Sequence, residues 1–141
     1  MKKTCLLLGM VLLLAACADT TLSDAAHSAN QKLEAKGSPY RWTPKTVGDS
    51  STLVLTLLPL PAGPTRANPA LAQQVLGLLS KEEAKKGRYS AELQEVRYLN
   101  DGREVWVLNS IGDGVAYVVA MSNPSDPRSS IKISGPTTYS R

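Results

Sequence analysis

The sequence predicts an α+β fold: an antiparallel β-meander of four to five strands packed with one main amphipathic helix. Three observations lead there. Residues 92–133 hold short apolar runs separated by turn signals at Asn100-Asp101-Gly102, at "IGDG" and at "NPSDP", the pattern of a meander. Asn68-Pro69 opens the strongest helical stripe, Leu71, Val75, Leu78 and Leu79, at i, i+4, i+7 and i+8. "LVLTLLPL", Leu53–Leu60, is a continuous apolar run with prolines at its end, which suits a buried strand better than a helix.

Residues 1–16 have the layout of a secretory signal peptide. Lys2 and Lys3 are followed by an apolar run from Cys5 to Leu14, and the small Ala15 and Ala16 sit directly before Cys17. Spanning a bilayer takes about 20 apolar residues, more than this run supplies. Leu14-Ala15-Ala16-Cys17 resembles the lipobox of bacterial lipoproteins, a resemblance confined to the first seventeen residues. It implies a diacylglyceryl thioether on the Cys17 sulfur, cleavage before Cys17 and acylation of the new amino group. A cysteine suits that step because its thiolate is a strong nucleophile. Stable anchoring takes two lipid signals, and three acyl chains exceed that. Ala18, where an aspartate would imply retention at the inner membrane, implies the outer membrane.

Residues 17–37 read as a lipidated N-terminus and tether. They carry weak helical spacing at Leu22, Ala26, Ala29 and Leu33, with Ser23 able to cap a short helix and Gly37 to end it. Residues 38–141 read as one periplasm-facing domain. It begins with "SPYRWTP", where an extended chain puts Tyr40 and Trp42 on one face. Pro59 cannot donate to a sheet, so pairing should end near it. "PAGPTRANP" follows as a loop. Asn68 is an N-cap acceptor ahead of a proline at the first helical position. Ser80 with Glu83 offers a second capping box at which the helix could break, and Gly87 is a natural C-cap. "AELQEVRYL", "REVWVLNS" and "VAYVVAMS" then read as strands, with a fourth around Ile131 and Ile133. Such a sheet can keep one face wet.

The chemistry-bearing residues are sparse. Loss of Lys2 and Lys3 lowers the formal charge from +4 to +2, and no basic run remains, so nucleic acid is not an expected partner. Cys5 leaves with the leader and Cys17 carries lipid, which excludes a disulfide or a cysteine nucleophile. His27 is the single histidine and sits in the tether, where it reads as solvated. Glu82 and Glu83 are adjacent on a helix and read as a solvated helix end, because neighbours point to different sides. Asp49, Asp101 and Asp113 read as turn residues. No phosphate loop, nucleophile elbow or metal-ligand series is present, so no cofactor or metal is expected. Two segments have the composition of binding surfaces. Tyr40, Arg41 and Trp42 are of the types that dominate interfaces. Pro64 and Arg66 lie in a loop whose prolines limit the entropy lost on binding. Trp106, Tyr98 and Tyr117 could meet across the meander, and at least part of that trio is expected to be core.

The expected function is that of an outer-membrane-anchored, non-enzymatic lipoprotein that binds another envelope or periplasmic protein, as in a secretion, conjugation or pilus apparatus. The alternative is an inhibitor or immunity lipoprotein against a periplasmic hydrolase or toxin. That alternative requires the proline-rich loop to be both exposed and fixed.

Overall fold

A computed structural model describes residues 18–89, 92–109 and 113–141, with side chains from Thr21 onward. Residues 1–17, on which the expected signal peptide and the lipidation of Cys17 fall, and most of "SIGDG" lie outside the described residues. The chain divides into two compact units between Leu57 and Leu58. The first holds helix α1 (Ala18–Ala35) and strands β1 (Tyr40–Val47) and β2 (Ser50–Leu57). The second holds β3 (Ala62–Gly63), helix α2 (Pro69–Lys85), β4 (Leu93–Tyr98), β5 (Glu104–Leu108), β6 (Gly114–Met121) and β7 (Ile131–Tyr139). Every pairing is antiparallel. Among the described residues no helix is long and apolar enough to cross a membrane.

In the first unit, α1 turns its predicted stripe inward: Ala26 is buried and Leu22, Ala29 and Leu33 are half-buried. The helix is longer than the short one expected and is already formed ahead of Ser23. It ends at Gly37, whose φ of 62° is the left-handed conformation that glycine adopts without strain. There Ser38 N–H donates to Leu33 O and Gly37 N–H to Glu34 O, satisfying carbonyls the helix leaves orphaned. β1 and β2 form a hairpin from Tyr40↔Leu57 to Val47↔Ser50, joined by Gly48-Asp49. Gly48 has φ 61° and Asp49 a negative φ, a glycine-first turn whose twist matches the strands. The run expected to be a buried strand is instead half-buried along Leu53–Leu57, because its sheet has only two strands. As expected, pairing stops before Pro59.

The second unit is the predicted meander, a five-stranded sheet in the order β3-β4-β5-β6-β7. The Asn100-Asp101-Gly102 signal does join β4 to β5, with Gly102 at φ 88° and Leu99 N–H donating to Arg103 O. α2 begins as predicted: Asn68 Oδ1 accepts from Leu71 N–H at 2.9 Å and Pro69 occupies the first turn. Asn68 Nδ2 also donates to Ser125 O at 2.9 Å. Asn68→Ala should therefore cost about 1 kcal/mol for the lost cap alone. Urea denaturation would register it as a lower midpoint at unchanged slope.

α2 does not break at Ser80 but runs to Lys85. It closes at Gly87, where Arg88 N–H donates to Glu83 O and Gly87 N–H to Ala84 O. Leu71, Val75 and Leu79 are buried, but Leu78, expected in the same stripe, is 39% exposed. Val75 and Leu79 pack against Val96, Trp106, Leu108, Val115, Tyr117 and Val119 of the sheet. The opposite face is not wet at the centre: Val105, Val107, Ala116 and Val118 are also buried. Of the expected aromatic trio, Trp106 and Tyr117 are fully buried, and Tyr98 packs against the core from its edge.

Candidate functional site

The best-defined surface feature of the second unit is the segment from Leu58 to Asn68. Pro59, Pro61, Ala62, Pro64 and Arg66 are exposed, yet the backbone beneath them is tied down at almost every step. Arg97 Nη1 donates to Leu58 O at 3.3 Å. Tyr98 N–H donates to Pro61 O at 2.8 Å, and Ala62-Gly63 pairs with Arg97-Val96 as β3. The Tyr98 hydroxyl donates to Pro64 O at 2.5 Å. Gly63 makes that reach possible, since a Cβ there would lie 2.3 Å from the Tyr98 hydroxyl oxygen. At the far end Asn68 N–H donates to Pro124 O at 2.8 Å.

The centre of the clamp is Glu104, fully buried at the start of β5. Its carboxyl accepts from the Thr65 hydroxyl at 2.8 Å, from Arg66 N–H at 2.7 Å and from Trp106 Nε1–H at 2.9 Å. Three donors answer the cost of burying such a group, which is steep when it is left unpaired. Thr65 Oγ1 also accepts from Ala67 N–H, closing a local turn. The Arg66 guanidinium lies 4.4 Å from the centroid of the Tyr98 ring, a cation–π contact that orients the exposed arginine. Pro64 and Arg66 are thus presented on a fixed base. Glu104, Thr65 and Tyr98 were not singled out with them from the sequence. The available signal was a glutamate opening the apolar run "EVWVL", on the same strand face as Trp106.

A second buried carboxyl corrects the reading of Glu83 as solvated. It is 1% exposed on α2, bonded by both Arg88 Nε and Nη2 and by the Tyr117 hydroxyl at 2.5 Å. The Arg88 hydrogen bond holds the Glu83 carboxyl below the usual carboxylate range, against the opposing effect of burial. Burial first, then Glu83, pushes the Tyr117 hydroxyl well up, so it stays protonated and donates. Arg88 is held to Glu83 by the bidentate geometry typical of the strongest ion pairs. The network fastens the end of α2 to β6. A groove of about 360 Å³ between α2 and β7 is lined by Leu78, Glu82, Ile131, Ile133 and Gly135, and neither Glu83 nor Glu104 opens onto it.

Tyr40, Arg41 and Trp42 stand at the start of β1, in the first unit, while Pro64 and Arg66 belong to the second. Tyr40 is 6% exposed and packs inward, so its ring offers no surface to a partner. Arg41 Nη1 donates to Ser38 O and Tyr40 O at 2.8 and 2.7 Å, folding back on its own strand. Trp42 is 36% exposed, and its backbone N–H and C=O are both taken by the Asn30 side chain of α1. His27 is exposed beside Gln31, as its position in the sequence suggested. No family model matches the chain, and comparison with curated proteins and with solved structures found no match.

Proposed function

We propose that this chain is a lipid-anchored, non-enzymatic envelope protein that binds another protein through the clamped loop Leu58–Asn68. The carrying observation is the combination of exposed Pro64 and Arg66 with a backbone immobilised on Glu104, Tyr98 and Arg97. Ordering a mobile loop on binding costs affinity, and a loop that is already ordered avoids that cost. Both carboxyls buried among the described residues are engaged within the fold, and the α2–β7 groove carries one titratable side chain, Glu82. That supports binding over catalysis. The anchor rests on Leu14-Ala15-Ala16-Cys17, and the outer membrane on Ala18.

The same loop favours a second reading, an inhibitor or immunity lipoprotein. A proline-rich segment that is exposed and fixed can enter an active-site cleft with little loss of entropy. The experiment combines two variants of the full chain. Cys17→Ser should abolish incorporation of labelled palmitate and release the protein from the membrane fraction. A double substitution, Pro64→Ala with Arg66→Ala, should keep the thermal transition and lose the partner. Unchanged palmitate labelling in Cys17→Ser removes the anchor, and unchanged partner recovery in the loop variant removes the loop.

A further inference from the structure

The hairpin of the first unit has one protected edge and one open edge. On β1, Trp42 exchanges both backbone groups with Asn30 rather than with Leu55, its opposite number on β2. The Trp42↔Leu55 pair is therefore a non-hydrogen-bonded pair of the ladder, and the N–H and C=O of Leu55 point away from β1. The same parity applies to Leu53, opposite Pro44, and to Leu57. Pro44 fits an outward position, where a strand loses no ladder bond for want of an N–H. The outer edge of β1 is thus blunted by a proline and a side-chain amide. The outer edge of β2 has neither device. Among the described residues nothing bonds the outward groups of Leu53, Leu55 and Leu57, and no charged residue occurs between Asp49 and Arg66. Open edges of this kind are templates for strand addition.

The occupant is indicated by the strand itself. Thr52-Leu53-Val54-Leu55-Thr56 reads the same in both directions about Val54. We propose that β2 pairs antiparallel with β2 of a second copy of this chain, with the two-fold axis at Val54, giving a four-stranded sheet in the order β1-β2-β2-β1. That register puts Leu53 opposite Leu55 of the partner copy, and both have outward backbone groups, so they exchange hydrogen bonds. It puts Thr52 opposite Thr56 on the face that carries Arg41, Thr43 and Lys45, and leucine opposite leucine on the face of Trp42. Threonine pairs and apolar pairs are both favourable cross-strand neighbours. A two-fold interface requires such self-complementarity, which a strand of arbitrary sequence lacks. The pairing is independent of the loop Leu58–Asn68.

Cysteine substitution in the purified full chain tests the register, with the unsubstituted chain as reference for Cys5 and Cys17. Val54 on the axis faces its copy in a non-hydrogen-bonded pair, about 4.5 Å between Cα atoms, within the span a disulfide bridges. Val54→Cys should link into a dimer under mild oxidation. Thr52→Cys or Thr56→Cys alone should not, because like positions lie four residues apart along the strand, about 13 Å. The double variant Thr52→Cys with Thr56→Cys should link again, roughly tenfold above either single variant, since its sulfurs meet in the same geometry as at Val54. A circular-dichroism spectrum matching the unsubstituted chain shows that each variant is folded. Folded Val54→Cys that stays monomeric overturns the proposal. So does equal linking at all three positions.

Discussion

Replacing Glu104 by alanine is expected to lower stability by about 3 kcal/mol and to set the loop Leu58–Asn68 free. The substitution leaves the buried Trp106 Nε1–H without its acceptor, and one buried unsatisfied donor costs about 1–3 kcal/mol. Arg66 N–H and the Thr65 hydroxyl lose theirs as well, but both sit in a segment that can turn to water once released. The signature is therefore uneven. Chemical denaturation should show the loss in stability, while amide exchange at Arg66 should accelerate far more than exchange at Val105 or Val107 in the sheet centre. Glu104→Gln separates charge from geometry: its amide can accept from one pair of donors but presents N–H to the third. Stability unaffected by Glu104→Ala would show that Glu104 does not clamp the loop.

Glu83→Gln is expected to cost about 3 kcal/mol near neutral pH, toward the low end for a broken buried pair because Arg88 is partly solvated. Its pH dependence identifies the mechanism. The folded-state carboxyl of Glu83 is held below its ordinary value of 4.5, chiefly by the Arg88 hydrogen bond. A carboxyl with a depressed folded value binds fewer protons in the folded state than in the unfolded one. It contributes stability in full above about pH 4.5 and loses it as pH falls through the lowered folded value. The unsubstituted protein should thus hold its stability down to about pH 5 and lose it below, while Glu83→Gln should be less stable near neutrality, flatter in acid, and approach the parent at the lowest pH. Asp101, lowered by Arg103, adds to the same acid limb but is more than half exposed, so its share is small. A Glu83→Gln variant whose acid limb is as steep as that of the parent would contradict the assignment.

Much of the second unit was legible in the sequence because its signals are local. Asn68-Pro69 starts a helix, Gly87 ends it, and Asn100-Asp101-Gly102 turns a strand by chemistry that acts within four or five residues. The hairpin of the first unit was equally local and less visible. Gly48-Asp49 between "YRWTPKTV" and "SSTLVLTL" is a two-residue glycine-first turn, but the leucines of β2 mimic a buried strand and hide it. Long-range partners were beyond reach. Glu104 meets Thr65 and Arg66 across 39 and 38 residues, and Glu83 meets Tyr117 across 34. No periodicity announces such contacts, although a lone acid in an apolar run, at Glu104, marks where one is needed. Leu78 departed from its predicted burial because i+7 lies at the border of the stripe that Leu71, Val75 and Leu79 define. Pro64 and Arg66 were singled out by composition, while what fixes them in place was not legible.

The most direct test of the proposal that Leu58–Asn68 is an immobilised binding loop is photo-crosslinking from single positions of the full chain in cells that make it. Crosslinkers placed at Pro64 and at Arg66 should capture one and the same protein, a crosslinker at the exposed Lys81 of α2 should capture none, and Glu104→Ala should erase the capture while the chain is still made at the level of the parent. Capture from Lys81 as strong as from the loop, or capture that survives release of the loop by Glu104→Ala, would contradict the account.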